Sequence, residues 1–267
     1  VSAVWLVSGA GSGVGRSLAV ALASTGAEVI LASRSRERLE DTARWCWAPT
    51  LVAPVDLADP ASVDALAATV VGHLAGRPLA GIVHAAGLMA WHSPSTPSGT
   101  SLIPQVNALS PWRLTLALES ALLAAPGARV LFVAGAPFTL RGVQPHPERW
   151  SGEQRGRGLA LALEAAAAKV VMARWLHRRW AGVASAFAFH PGYVKSRLGD
   201  GLPFPLSFAA CVAQPFLAGR SVTGEFLALD PAAPALSGHL VAGRRAAASV
   251  PFPADLAAED AFIASLR

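Results

Sequence analysis

The feature that most constrains this chain is a set of short, almost uninterrupted apolar runs: AVWLVSGA, AEVILAS, TLVAPVD, LAGIVHAAG, ARVLFVAG and VASAFAFHPG. A strand that is apolar at nearly every position has no face to give to water. Such strands belong in a parallel sheet covered on both sides. The covering elements must then be the segments between them: SGVGRSLAVALASTG, RERLEDTARW, PASVDALAATVVGHLAG, residues 102–125 and residues 159–180, which have helical length and composition. SGHLVAG near residue 240 reads as a last strand. The expected fold is α/β, a doubly wound parallel sheet of about seven strands with helices on both faces. No internal repeat and no linker divides the chain, so a single domain over residues 1–267 is expected, with a pocket walled by loops 88–100, 136–160 and 193–220.

Composition narrows the possible functions. Apolar residues make up 53% of the 267 residues and charged residues 15%, which excludes a disordered chain. The net charge of +5 comes from scattered arginines, with no basic tail and no zinc-ligand spacing. That speaks against nucleic acid and suits an anionic small molecule. Cys46 and Cys211 form no CxxC pair, as expected in a reducing cytoplasm. No apolar run reaches the length of a membrane span without Pro, Gly or a charge, and LPFPLSFAACVAQPFLAG reads as a greasy helix with its entry loop. The first residues carry no basic segment ahead of an apolar one, so no signal peptide is expected.

The first run ends in SGAGSGVGRSLA. Gly9, Gly13 and Gly15 make a glycine-rich turn between strand and helix, which lets backbone approach a pyrophosphate and offers it the helix N-terminus. The second run ends at Ser33-Arg34, where an enzyme for the unphosphorylated dinucleotide usually has an acid to hold the ribose. An arginine there pairs with a 2′-phosphate or starts a solvated helix, and Arg36 and Arg38 add to the same field. Asp56 either accepts from an adenine amino group or caps the following helix.

With these come VDL at 55–57, HAAG at 84–87, VNALSP at 106–111, Lys169 and HPGYVKSRL at 190–198. In that order and spacing the chain resembles the short-chain dehydrogenase/reductase family, in the branch that includes retinol dehydrogenases. The resemblance implies a Rossmann-type fold and an NADP(H) site. Gly9, Ser12, Gly13, Val14 and Gly15 would cradle the pyrophosphate. Ser33 and Arg34 would meet the adenosine phosphate, with Asp56 and Leu57 at the adenine. Ala85, Ala86 and Gly87 would line the path to the nicotinamide. Pro191, Gly192 and Val194 would stand beside it, and Ser196 would reach the phosphates or the carboxamide. His84 and His190 take structural roles on this reading. A homodimer through the helices of Asn107 and Lys169 is implied, with the alanine-rich face at 160–168 permitting close helix contact.

The resemblance fails where the chemistry is done. The family uses a serine after the fifth strand and a tyrosine four residues before the lysine as its acid–base pair, with an asparagine for proton relay. Here Asn107 and Lys169 match, but Gly135 and Ala165 occupy the hydroxyl positions, and the one tyrosine of the chain is Tyr193. Hydride addition to a carbonyl leaves charge on oxygen and calls for a donor. Glu164, His92 and Tyr193 are the replacement acids to weigh, and Trp91, Trp112 and Trp150 offer flat walls to a bulky apolar substrate. Three functions remain open: hydride transfer from NADPH to an activated acceptor such as an iminium or a polarised C=C or C=O in small-molecule biosynthesis; a non-redox cyclase, dehydratase or isomerase; and a cofactor-binding pseudoenzyme.

Overall fold

The computed structural model describes residues 2–192, 194–195, 218–247 and 255–266. Its strands are β1 Val4–Ser8, β2 Glu28–Ser33, β3 Thr50–Pro54, β4 Gly81–His84, β5 Arg129–Val133, β6 Ser185–His190, β7 Leu240–Ala242 and β8 Arg245–Ala246. They form an eight-stranded sheet in the order β3-β2-β1-β4-β5-β6-β7-β8. The first seven run parallel, and β8 pairs antiparallel with β7. The seven parallel strands are those the apolar runs predict. β8 has two exposed residues and so carries no pattern from which it could be read.

The helices are α1 Gly13–Ser24, α2 Arg36–Ala43, α3 Pro60–Leu74, α4 Leu102–Pro104, α5 Ser110–Ala117, α6 Glu119–Leu123, α7 Gly158–Trp180, α8 Val222–Leu229 and α9 Leu256–Ala264. Alternate strand residues feed two cores. Leu6, Ile30, Ile82, Val130 and Phe132 pack with α3, α5 and α7. Val7, Leu31, Val83, Leu131 and Phe187 pack on the other face with Leu18 and Leu22 of α1 and Leu227 of α8. Burial on both faces is why these strands read as continuous apolar runs.

The single helix expected over 102–125 is broken. Between α4 and α5 the chain makes a π-helical turn, Gln105–Leu109, and a second irregularity at Leu118 separates α5 from α6. Pro111 has no N–H to close the α-helical bond to the carbonyl of Asn107, so the regular ladder cannot continue there. The alanine-rich part of α7 also departs from expectation. Ala165, Ala166, Ala167 and Ala168 are buried within this one chain, leaving Ala160, Ala162 and Leu163 as the more accessible positions for a second copy.

The chain leaves β1 toward β2 on one side and comes back to β4 on the other. That reversal opens a crevice beyond the carboxyl ends of β1 and β4, where ligands of open α/β sheets bind.

Candidate active site

Gly9 follows β1 with φ +73°, and a Cβ there would lie 2.5 Å from the amide nitrogen of Ala86 beyond β4. The two loops of the crevice therefore touch backbone to backbone, and only glycine fits at position 9. Ser12 is the N-cap of α1, yet its side chain makes no capping bond, and the first turn holds no acid. The free N–H groups of α1 are thus left for an anion. The outer side of the loop is fastened by residues the sequence did not single out. Arg16 donates through its terminal nitrogen to Gly11 O (2.8 Å) and through Nε to Thr42 Oγ1 (3.0 Å). Thr42 Oγ1 in turn donates to Ala10 O at 2.9 Å. The pattern of α2 shows Thr42 only as one buried position among charged ones, and its partner lies 32 residues away.

At the end of β2, Ser33 is half-buried and Arg34 is exposed. Arg34 enters no ion pair among the described residues, whereas Arg36 pairs with Glu40 at 3.7 Å. Asp59 caps α3, its carboxylate accepting from Ala61 N at 2.9 Å. Asp56 accepts from Ala58 N at 3.0 Å and stays exposed beside the crevice. Buried Leu57 accepts from Ser110 Oγ at 2.6 Å, which fixes this loop to α5.

The second half of the site stands around α7. Lys169 is buried, and its Nζ donates to Val133 O at the end of β5 (2.7 Å). Burial pushes its pKa down to about 8. Ala165 lies one helical turn earlier, fully buried. Asn107 sits on the π-turn, donating from Nδ2 to Leu88 O (2.9 Å) and accepting from Leu88 N (2.7 Å). Its amide clamps the loop beyond β4, where Ala85 and Gly87 also lie. His84 is buried and stacks on Phe132 with centroids 5.0 Å apart. Thr115 Oγ1 donates to Pro111 O, so His84 Nε2 must donate to that hydroxyl at 2.8 Å. Burial, with the nearby Lys169 ammonium, holds the pKa of His84 at about 3, so the ring is neutral at physiological pH.

Beyond β6, Pro191 O accepts from Ser221 Oγ at 2.9 Å, and Gly192 takes φ +82°. Val194 is buried and bridges to Ala218. Burial lowers the pKa of His190. Tyr193 and Ser196, named from the sequence, lie outside the described residues, as does most of the greasy segment at 202–219.

The loops facing α7 pair with each other. Ser93 bridges to Gln154 and Thr100 to Ser151, and Ser101 Oγ donates to Gly152 O at 2.5 Å. His92 is exposed, its Nδ1 accepting from Gly156 N at 3.1 Å. Glu164 is buried and faces this flap. It accepts from Trp150 Nε1 (2.9 Å) and His146 N (3.3 Å), with Arg157 3.6 Å away. Of the tryptophans expected as pocket walls, Trp112 packs edge-on against Trp175 in the core and Trp150 is buried under the flap, while Trp91 is 42% exposed.

The described residues thus put a glycine-rich turn with an uncapped helix N-terminus after β1, and a buried amine on α7 bonded to the end of β5. Among the described residues, no group of His, Cys, Asp and Glu could hold a metal ion, and no helix is long and apolar enough to cross a membrane.

Residues 3–137 match the family described as short chain dehydrogenase. A protein named as a daunorubicin C-13 ketoreductase, from Streptomyces sp. (strain C5), is 28% identical over 86% of this chain and 78% of its own. Human retinol dehydrogenase 12 is 32% identical over 73% of this chain, a match spanning 62% of that relative's length. A crystal structure of an uncharacterised protein from Mycobacterium paratuberculosis superposes with TM-score 0.73 at 22% identity, covering 99% of this chain and 91% of that one.

Proposed function

Since the chain belongs to the short-chain dehydrogenase family, we propose that it is an NADP(H)-dependent oxidoreductase delivering hydride to an activated, bulky and largely apolar acceptor. The observation that carries this reading is the pairing of a built dinucleotide cradle and a buried Lys169 with Ala165 and Gly135 where the family has hydroxyls.

The residues present fit the cofactor: Gly9 lets the loops after β1 and β4 close on each other at the foot of the crevice, and α1 presents its first turn uncapped. On this reading Gly9, Ser12, Gly13, Val14 and Gly15 hold the pyrophosphate. Ser33 and exposed Arg34 take the 2′-phosphate, a charge-assisted contact that selects NADP(H) over NAD(H). Asp56 and Leu57 flank the adenine, Ala85, Ala86 and Gly87 line the ribose path, and Pro191, Gly192 and Val194 back the nicotinamide. Lys169 uses one N–H on Val133 O and keeps its others for the nicotinamide ribose. Asn107 holds Leu88, and with it the loop against which the ribose rests. When bound, the reduced nicotinamide supplies the hydride.

With no phenol at position 165, the acceptor has to arrive polarised, as an iminium or a conjugated or vicinal carbonyl. The name of the streptomycete ketoreductase relative supports a polycyclic carbonyl compound of biosynthesis as the acceptor class. A cytoplasmic homodimer belongs to the same reading.

The test is NADPH absorbance together with product analysis across a panel of polycyclic ketones, quinones and iminium compounds. One NADPH consumed per product is the expected result. Product without consumption points instead to non-redox catalysis on the same scaffold, and neither product nor consumption points to a pseudoenzyme.

A further inference from the structure

Hydride arriving at a carbonyl carbon pushes the C=O π pair onto oxygen, and that charge needs a donor. Gly135 itself, at the position after β5, offers none. Asn107 is engaged with Leu88, Glu164 with the flap, and His84 is enclosed between Phe132 and Thr115. His92 lies exposed with its Nδ1 taken by Gly156. Thr139, a residue absent from every motif in the sequence, carries a hydroxyl close to Gly135.

After β5 the chain passes Gly135 and turns back in a single 3-10 turn, Pro137–Leu140. This turn brings Thr139 over the bare face of Gly135. A Cβ built on Gly135 would have Thr139 Oγ1 as its nearest neighbour, at 3.1 Å, with Leu140 Cδ2 next at 3.2 Å. A serine hydroxyl would extend one bond beyond that Cβ, so the threonine oxygen lies beside the volume such a hydroxyl would fill. Thr139 is half-buried, so the group is sheltered without being sealed off.

We propose that the hydroxyl of Thr139, folded back over Gly135, is the hydrogen-bond donor to the acceptor oxygen in this site. The inference rests on the hydride-transfer reading above. In the structure this hydroxyl donates to Ala136 O at 2.8 Å. Ala136 O also accepts from the backbone N–H of Thr139 at 3.0 Å. Rotation of the hydroxyl toward a substrate therefore leaves no carbonyl orphaned, and gives up one neutral hydrogen bond for another. The balance of the step is simple. With the cofactor bound, its hydride would form the new C–H bond as the C=O π pair moved to oxygen, Thr139 would donate a hydrogen bond to that oxygen, and a solvent water would give the proton that completes the alcohol, leaving hydroxide to the buffer. Thr139 gives up no proton and needs no shifted pKa.

The test uses the full chain with NADPH and 9,10-phenanthrenequinone, a polarised aromatic diketone. Thr139→Val keeps the shape and removes the donor. It is expected to lower kcat about 100-fold, with KM and NADPH affinity changed by less than about threefold. Thr139→Ser, which restores a hydroxyl, is expected to stay within about fivefold of the parent. Full kcat in Thr139→Val, or equal losses in both variants, overturns the proposal.

A melting-temperature cycle decides the geometry without turnover. Gly135→Ser is expected to lower Tm by crowding Thr139, and Thr139→Ala in that background to recover it. The double variant is also expected to regain turnover that Thr139→Ala alone loses. Strictly additive Tm changes overturn the shared position of the two hydroxyls. A parent chain that consumes no NADPH with any acceptor sinks the functional reading, and the cycle still reports on Thr139.

Discussion

Lys169 and Ala165 stand one turn apart on α7, both inside the protein, and the ammonium donates to the carbonyl of Val133 and to no carboxylate among the described residues. An ammonium held this way costs stability while it is charged. Burial sets its folded pKa near 8 against an ordinary 10.5. Between those values the unfolded chain binds more protons than the folded one, so stability rises with pH across that window and the contribution is flat below it. His84, which feels the Lys169 charge, is already neutral there, so it adds nothing to the slope. Urea midpoints measured from pH 7.5 to 10.5 should climb for the parent more than for Lys169→Met, which should also be the more stable protein at the acid end. Parallel curves would show that the ammonium is better solvated than the structure has it. At this scale the sequence was legible where residues stand close along the chain. The facing of Lys169 and Ala165 follows from helical spacing, and that positions 135 and 165 carry no hydroxyl is read from the letters themselves. Thr139 and Thr42 were not legible, because each acts through a turn or a contact that no local period encodes.

Among the elements, the parallel strands and the long helices were legible because burial on both faces writes itself as continuous apolar runs. The break in the helix over 102–125 was missed although its cause, Pro111, is in plain view. Proline inside an apolar helical pattern can kink, cap or reset a helix, and tertiary packing chooses among these. Here the reset puts Asn107 against Leu88. Glu164 was noticed as a neighbour of the vacant position, and its work turned out to lie on the flap. Glu164→Ala leaves the buried Trp150 N–H without its acceptor, at a cost of about 1–3 kcal/mol. Hydrogen exchange should quicken across residues 144–157, while NADPH affinity stays within about twofold because the cradle is distant and shares no partner with the flap. Unchanged exchange in that segment would mean that Glu164 does not hold it.

For the whole molecule, the strand order places a reversal at β1 and β4, and the crevice there is where Gly9 meets Ala86. The charge of the chain enters at this scale, through Arg34 at the rim. Thermal stabilisation by NADPH should exceed that by NADH, and Arg34→Ser should bring the two together without lowering the NADH response. Equal responses in the parent would remove Arg34 from cofactor choice. The central claim is that this crevice moves hydride although both customary hydroxyls are gone. The most direct measurement is transfer of label from NADPH carrying deuterium at both C4 positions to a ketone or iminium acceptor that the panel identifies. The account predicts one deuterium in each product molecule and an equal amount of NADP formed. Product that carries no label, formed while NADPH stays intact, would contradict it.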